Sequence, residues 1–211
     1  QVGRDPLTGL LNHRAVHEQL GRELVHGRSF GHPVSTVLID VDNFKTVNDS
    51  LGHQTCDRAL HAGASILTAA CRGTDVAARY AGDEFMLILP GLDEQHVAAV
   101  CERIVNEVRR VNGSLDLGPY IRVTLSVGVA VSYACRRNVK QIVAIADAAM
   151  YDAKEGGKDG LRVVDADTLI TVDPRRDDGP GVRRERRTAP PAHRDEVRER
   201  RRPFRRIKRA S

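Results

Sequence analysis

The sequence lacks the features that mark several common classes of protein. It has no apolar run approaching the roughly 20 residues that a membrane-spanning helix needs. Its first residues, 1–5, carry no apolar stretch of the kind found in a secretory signal peptide. No two of its four cysteines are spaced as C-x-x-C, which argues against a zinc site. We therefore expect reduced cysteines and a cytoplasmic location. Because the chain does not start with Met, we also expect it to be a fragment with a segment missing upstream.

Positive charge is concentrated at one end of the chain. Of 33 Lys and Arg residues and 28 Asp and Glu residues, 15 and 7 lie within residues 173–211, a net charge of +8. Residues 1–172 are therefore mildly acidic, with 18 basic and 21 acidic side chains. The segment 173–211 is rich in Arg and Pro and poor in large apolar residues, a composition typical of a disordered tail.

Two functions are open for this tail. A polybasic segment can bind nucleic acid or anionic lipid, whereas a solvated extension binds neither. Phe204 is its only aromatic residue, so it lacks the interleaved aromatic side chains on which nucleic-acid bases stack. We favour the solvated extension and expect no nucleic-acid partner.

Helical and strand patterns alternate through residues 1–172, which predicts one α+β domain. A hairpin is expected where two apolar strands, 76–80 and 85–89, flank the acidic turn 81–84. It makes the sheet at least partly antiparallel. The other expected elements are helices in 13–27, 57–72, 93–111 and 139–157, and strands in 34–42, 120–132 and 161–166.

Two pairs of carboxylates stand at the ends of predicted strands. Asp83 and Glu84 lie in the hairpin turn, where Asp is common for purely structural reasons. Asp40 and Asp42 lie two residues apart at the end of strand 34–42 and therefore share a face. If that strand pairs beside the hairpin, Asp40 and Asp83 converge. Clustered carboxylates of this kind bind Mg²⁺ together with phosphate oxygens. We expect Asp42 to cap the next turn and leave it out of the site.

Five motifs, in their order and spacing, resemble those of the GGDEF domain family, the diguanylate cyclases. They are DPLTGLLNHRA (5–15), IDVDNFKTVNDSLGH (39–53), RYAGDEF (79–85), VTLSVGVA (123–130) and ADAAMYDAKEGGKDG (146–160). The resemblance implies a fold like the palm of nucleotide cyclases and polymerases, with a central, mostly antiparallel sheet surrounded by helices. It also implies that two GTP molecules are condensed into cyclic di-GMP with release of two pyrophosphates.

The resemblance assigns the acids to a metal site. Asp40, the backbone carbonyl of Val41, Asp83 and Glu84 would hold Mg²⁺ or Mn²⁺. Asp83 would also accept a proton, with Glu84 supporting it. Lys45 would hold the triphosphate and stabilise charge that develops in the transition state. These roles fit the chemistry of clustered carboxylates, which stay ionised when a cation lies beside them.

Further residues are implied to bind the substrate. Asn48 and Asp57 would read guanine, and His53, expected on the loop between them, would contact the nucleotide. Lys154 and Lys158 would reach the outer phosphates. Considered singly, Asp57 could instead be an N-cap of the following helix, and the two lysines could be ordinary residues near a helix C-terminus.

A second site is implied just before the signature. Arg72 and Asp75 resemble the R-x-x-D motif at which the family binds its product as a feedback inhibitor, with Arg103 as a second arginine. The alternative is an arginine that ends a helix and an aspartate in a turn. The reaction implies a catalytic homodimer, because each domain holds one GTP. An upstream sensor or dimerisation module would bring the two domains together.

Two positions depart from the family pattern. Ala81 replaces the first glycine of the signature, which would cost about 1 kcal/mol if this position needs a positive φ. Cys56 replaces a glycine beside Asp57, where its side chain either narrows the guanine pocket or points away. The competing hypothesis is a catalytically inactive module that binds cyclic di-GMP or GTP.

Overall fold

A computed structural model describes residues 3–111 and 123–168, which form a five-stranded sheet and its flanking helices. The elements are α1 (His13–Phe30), β1 (Val34–Asp42), α2 (Phe44–Leu51), α3 (His53–Ala70), β2 (Val76–Ala81), β3 (Glu84–Pro90), α4 (Glu94–Val111), β4 (Thr124–Ser132), α5 (Val139–Glu155) and β5 (Gly160–Asp165). The predicted tail, 173–211, and the first residues of the strand expected in 120–132 lie outside the described residues. Across the described residues, no helix combines the length and the apolar character needed to cross a membrane.

The sheet has the order β2-β3-β1-β4-β5, with β1 at its centre. β1 pairs antiparallel with β3 on one side and with β4 on the other, and β2 pairs antiparallel with β3. β5 runs parallel to β4 after the α5 crossover. The prediction of an α+β domain with a mostly antiparallel sheet is therefore confirmed.

Helices cover both faces of the sheet, so β1 is buried on both sides and reads as a continuous apolar run. Val37, Ile39 and Val41 pack in one hydrophobic cluster with α3 and α4, whereas Val34 and Leu38 pack in another with α1 and α5. Side chains alternate along a strand, so Asp40 and Asp42 lie on the α5 side at the end of β1.

Several element boundaries differ from the expected ones. The turn of the hairpin is shorter than 81–84, because Ala81 and Glu84 pair across it and leave only Gly82 and Asp83 between the strands. α2 was not expected, and α3 begins at His53 rather than at residue 57. The helix is only eight residues long, and Val47 is its one buried residue.

Candidate active site

The β2–β3 hairpin lies beside the end of β1, which is the condition for Asp40 and Asp83 to converge. Asp40 of β1 is the direct cross-strand partner of Glu84 in β3. The next residue of β1, Val41, donates its backbone N–H to the carbonyl oxygen of Asp83 over 3.2 Å. The sheet itself thus brings the three carboxylates Asp40, Asp83 and Glu84 to one edge of the fold.

This clustering makes ionisation of the acids unfavourable. Burial, reinforced by the charges of Asp40, Asp83 and Asp147, raises the pKa of Glu84 above its ordinary value. Burial also raises the pKa of Asp83, and the charge of Asp40 adds to the effect. Like charges that face each other across a pair of strands are destabilising. The site therefore favours a cation.

Lys154 of α5 supplies a positive charge in this structure. Its Nζ lies 2.8 Å from Oδ2 of Asp40. Burial works to lower the pKa of Lys154, but the hydrogen bond and charge of Asp40, together with Glu84, raise it on balance. The lysine therefore compensates part of the negative charge of the cluster.

The donor set suits a hard divalent ion in an open site. Within residues 3–111 and 123–168, no group of three or more His, Cys, Asp or Glu side chains is placed so that it could hold a metal ion by itself. Mg²⁺ does not need such a group, because it commonly binds through one or two carboxylates and completes its shell with water and phosphate. Asp40, Asp83, Glu84 and the carbonyl of Val41 are oxygen donors of the required kind, with Lys154 beside them.

Arg79 fixes the signature turn. Its Nε and Nη2 donate to the carbonyl oxygen of Gly82 over 3.0 and 2.7 Å, and its Nη1 pairs with Asp5 at 3.3 Å. Asp5 in turn accepts hydrogen bonds from the backbone N–H and the hydroxyl of Thr8. These roles were not predicted from the sequence, although Asp5 and Arg79 are the first residues of the motifs DPLTGLLNHRA and RYAGDEF.

Ala81 does not strain the signature. Among the described residues, those other than glycine with positive φ are Asn43, Cys135, Lys158 and Asp159. Ala81 is instead the last residue of β2, paired with Glu84. Alanine therefore carries no left-handed backbone cost at this position.

The three candidate nucleotide-reading residues lie on two consecutive helices. Asn48 is in α2, whereas His53 and Asp57 are exposed in α3, and Gly52 separates the helices with φ 76°. His53 is thus the first residue of a helix rather than part of a loop. Asp57 lies inside α3 and is not its N-cap, which is Gly52. The Oδ1 atom of Asn48 is buried and has no hydrogen-bond partner among the described residues.

The side chain of Cys56 points away from the solvent-exposed face of α3. It is 3% exposed and belongs to the hydrophobic cluster between the sheet and α3. Burial raises the pKa of its thiol, and the charges of Asp57, Asp49 and Asp83 raise it further.

The three candidate phosphate-binding lysines are distributed around the end of β1. Lys45 is exposed in the first turn of α2. Lys158, after the end of α5, donates from Nζ to Oδ1 of Asn43 over 2.9 Å. Together with the contact between Lys154 and Asp40, this brings two of the lysines to the edge that carries the acids.

Asp42 has a different role from the expected cap. It is 1% exposed and accepts hydrogen bonds from the hydroxyls of Thr124 and Ser126, each at 2.7 Å. It also accepts one from the backbone N–H of Asp159 at 3.1 Å. The N-cap of α2 is Asn43, so the capping expectation was wrong. A buried carboxylate needs such donors, which only the folded chain brings together.

The candidate product site lies where α3 ends. The guanidinium of Arg72 donates from Nε and Nη2 to the carboxylate of Asp75, and from Nη2 to the carbonyl oxygen of Pro90 at 3.1 Å. The side chain of Arg72 is 52% exposed and that of Asp75 only 2%. Arg72 can therefore reach a ligand, whereas Asp75 orients the arginine.

Arg103 of α4 lies beside the same helix end. Its Nη2 donates to the carbonyl oxygen of Ala70 over 2.9 Å. Burial and the charge of Asp75 raise the pKa of Cys71 to about 11, against the opposing charges of Arg72 and Arg103. An open groove is lined by Arg72, Asp75 and Cys71, whereas Arg103 lines a different groove together with Ala69 and Ala70 of α3.

Comparison with known proteins identifies the domain. Residues 2–160 match the family model described as diguanylate cyclase, GGDEF domain. The chain is 35% identical over 163 residues to the diguanylate cyclase DosC of Escherichia coli K12, covering 77% of this chain and 35% of DosC. It thus spans about a third of the length of that curated relative.

Solved structures show the same fold. The GGDEF domain of DgcB from Caulobacter crescentus, solved in complex with cyclic di-GMP, superposes with a TM-score of 0.72 at 30% identity, covering 80% of this chain and 98% of that one. Diguanylate cyclase SiaD of Pseudomonas aeruginosa, in complex with its activator SiaC, gives 0.70 at 36% identity, covering 77% and 62%. The palm-like fold is therefore confirmed, and the chain belongs to the GGDEF domain family of diguanylate cyclases.

Proposed function

We propose that this chain is an active diguanylate cyclase, which condenses two GTP molecules into cyclic di-GMP and releases two pyrophosphates. One observation carries the proposal: Asp40 and Glu84 face each other across two strands, with Asp83 adjacent and Lys154 in contact. Clustered carboxylates of this kind hold the divalent ions that assist phosphoryl transfer.

The residues of the chain divide the chemistry among them. Asp40, Asp83, Glu84 and the carbonyl of Val41 would hold a Mg²⁺ or Mn²⁺ ion, which would neutralise phosphate charge and lower the pKa of a nearby hydroxyl. Asp83 accepts the proton of the attacking 3′-hydroxyl. Burial raises the pKa of Asp83, which makes its carboxylate a stronger base.

Basic side chains bind the triphosphate. Lys45 extends from the first turn of α2 and stabilises charge that develops on the phosphates. Lys154 exchanges its contact with Asp40 for a phosphate oxygen when the nucleotide and metal bind, and Lys158 binds an outer phosphate. Lys154 therefore has a negatively charged partner in both states, Asp40 before the nucleotide binds and a phosphate oxygen afterwards.

Guanine is selected by α2 and α3. The carboxylate of Asp57 accepts the two N–H donors on one edge of guanine, and the unpaired Oδ1 of Asn48 is an additional acceptor. Adenine offers no matching pair of donors, so its binding would leave acceptors unsatisfied. His53 contacts the nucleotide from the first turn of α3. We therefore propose specificity for GTP.

The reaction requires two copies of the domain. Each copy holds one GTP, and the 3′-hydroxyl of one attacks the α-phosphate of the other, so a head-to-head homodimer provides the proximity. DosC is longer than the matched region, because the match covers 35% of it. We propose that an upstream sensory or dimerisation module performs this pairing in the full protein.

Cyclic di-GMP is proposed to inhibit the enzyme at the Arg72 site. The half-exposed guanidinium of Arg72 can donate to a phosphate and stack on a purine. Asp75 holds it in place, and Arg103 adds a second cation at the same helix end.

Product analysis tests the activity. Incubation with GTP and Mg²⁺ or Mn²⁺, at a protein concentration that favours dimers, should give cyclic di-GMP on chromatography. Asp83→Asn should abolish it, whereas Glu18→Gln, a change at an exposed carboxylate of α1, should not. Absence of product even when a fused coiled coil enforces dimerisation would exclude catalysis. The competing hypothesis, an inactive module that binds cyclic di-GMP or GTP, would then be favoured.

A further inference from the structure

The loop after α5 has a backbone that is costly to maintain. Gly157, Lys158 and Asp159 have φ values of 114°, 61° and 45°. Residues with a Cβ rarely occupy this left-handed region, and two in succession persist only where the surrounding structure holds them. The loop therefore requires contacts that compensate this cost, and it carries Lys158.

One side of the loop is held by Asp42. The backbone N–H of Asp159 donates to Oδ2 of Asp42, which is almost completely buried. The same carboxylate also accepts hydrogen bonds from the hydroxyls of Thr124 and Ser126 in β4. Because Asp42 is held by β4, its position relative to the sheet is fixed, and so is the N–H that it binds.

The other side of the loop is held by Arg109 of α4. Its Nε donates to both carboxylate oxygens of Asp159 over 3.0 and 3.1 Å, and its Nη2 donates to the carbonyl oxygen of the same residue over 3.2 Å. The remaining Nη1 donates to Asn106 on its own helix. One guanidinium thus binds the side chain and the backbone of Asp159 together.

We propose that Asp42 and Arg109 are positioning residues that clamp Asp159 and thereby place Lys158 for the outer phosphates of the nucleotide. Lys158 is adjacent to the clamped residue, and its Nζ already lies 2.9 Å from Asn43 at the end of β1. Neither clamp residue touches the nucleotide. The inference rests on the proposed function, because it assigns a purpose to the clamp only if GTP binds at this edge.

Nucleotide affinity separates this role from a purely structural one. We would titrate the chain with 3′-deoxy-GTP, which cannot be condensed, and with GMP, which lacks the outer phosphates, both with Mg²⁺. Arg109→Ala should weaken 3′-deoxy-GTP binding about fivefold, the effect of losing a partly exposed ion pair, and leave GMP binding unchanged. Asp159→Asn should do the same, because Asn tolerates the left-handed backbone but loses the charge that Arg109 binds.

Arg110→Ala is the matched control, since Arg110 is the next residue and pairs with Glu107 on its own helix. It should leave both affinities unchanged. Equal affinities of the Arg109 and Arg110 variants for 3′-deoxy-GTP would refute the clamp, and so would an equal loss of affinity for 3′-deoxy-GTP and for GMP in the Arg109 variant. Neither result would contradict the proposed function. Failure of the unmodified chain to bind 3′-deoxy-GTP would instead refute both the clamp and the proposed function.

Discussion

At the scale of single residues, the edge of the sheet holds more negative charge than it can neutralise. Asp40 faces Glu84, and in the part of the chain that the structure describes Asp40 is paired with Lys154 whereas Glu84 has no ion pair. The carboxylates at the strand ends could be predicted from the sequence, because acids after an apolar strand are conspicuous. The role of Asp42 could not, because its partners Thr124 and Ser126 are about 80 residues away in the chain.

The first prediction concerns the charge of Glu84. Its raised pKa, caused first by burial, means that the folded chain binds this proton more tightly than the unfolded chain does. Ionisation at neutral pH therefore costs stability, and the cost disappears as the pH falls below the pKa of the unfolded chain. We expect Glu84→Gln to raise the melting temperature of the metal-free protein at pH 7 by about 1–3 °C.

Thermal melts from pH 7 down to pH 4 check this prediction. The difference between Glu84→Gln and the unmodified chain should shrink toward the acid end, and added Mg²⁺ should stabilise only the unmodified chain. Glu102→Gln, at an exposed position of α4, should show neither effect. A lower melting temperature for Glu84→Gln at pH 7 would contradict the account.

The second prediction concerns Asp42. Replacement by Asn puts an N–H₂ group where the carboxylate now accepts from two hydroxyls and a backbone N–H, so Asp42→Asn should cost about 2 kcal/mol in the free energy of unfolding. Urea denaturation measures it. Asp57→Asn, at an exposed carboxylate on α3, should change stability by less than about 0.5 kcal/mol. Equal stability of both variants would refute the role of Asp42.

At the scale of elements, every described helix and strand except α2 was predicted, although several boundaries differ. The predicted helices have apolar residues at helical spacing, and β1 is a continuous apolar run. α2 has one buried residue, Val47, and its boundary with α3 depends on the positive φ of Gly52, which no apolar pattern signals. The hairpin turn is shorter than expected because Ala81 and Glu84 continue the pairing.

The third prediction concerns the contact between α5 and β4. The distance between these two elements sets how far Lys154, on α5, lies from the sheet. A Cβ at Gly128 would lie 2.2 Å from the carbonyl oxygen of Ala146 and from the backbone nitrogen of Met150. Gly128→Ala must therefore displace α5, at a cost of about 3 kcal/mol. A Cβ at Gly63 in α3 would meet Phe85 at 3.7 Å, an ordinary contact.

Gly63→Ala is accordingly the matched control and should stabilise the protein by about 0.5–1 kcal/mol, as expected inside a helix. Urea denaturation of both variants checks the pair. If Gly128→Ala were as stable as Gly63→Ala, α5 would not be held against β4 as closely as the structure indicates.

At the scale of the whole molecule, two candidate ligand sites lie at separate parts of one domain. The acids stand at the end of β1, whereas Arg72 follows the C-terminal end of α3 and contacts Pro90 at the far end of β3. The register of β1 with β3 places Pro90 opposite Val34 and Glu84 opposite Asp40, so the two sites are at opposite ends of these strands. A product bound at Arg72 would therefore act without occupying the acidic edge.

The fourth prediction follows from this separation. Arg72→Ala should weaken inhibition by added cyclic di-GMP at least about tenfold, because it removes the exposed phosphate-binding fork. Turnover without added product should persist. Arg14→Ala, at an exposed arginine of α1, should leave inhibition intact. Unchanged inhibition in Arg72→Ala would show that the product acts elsewhere.

The most direct test of the central claim is the initial rate of cyclic di-GMP formation from GTP and Mg²⁺ as a function of protein concentration, with pyrophosphate measured in parallel. The account predicts two pyrophosphates for each cyclic di-GMP and a rate that rises more steeply than in proportion to protein concentration until the dimer is saturated. It also predicts no product from Asp83→Asn. Formation of pyrophosphate without cyclic di-GMP, or equal rates for Asp83→Asn and the unmodified chain, would contradict it.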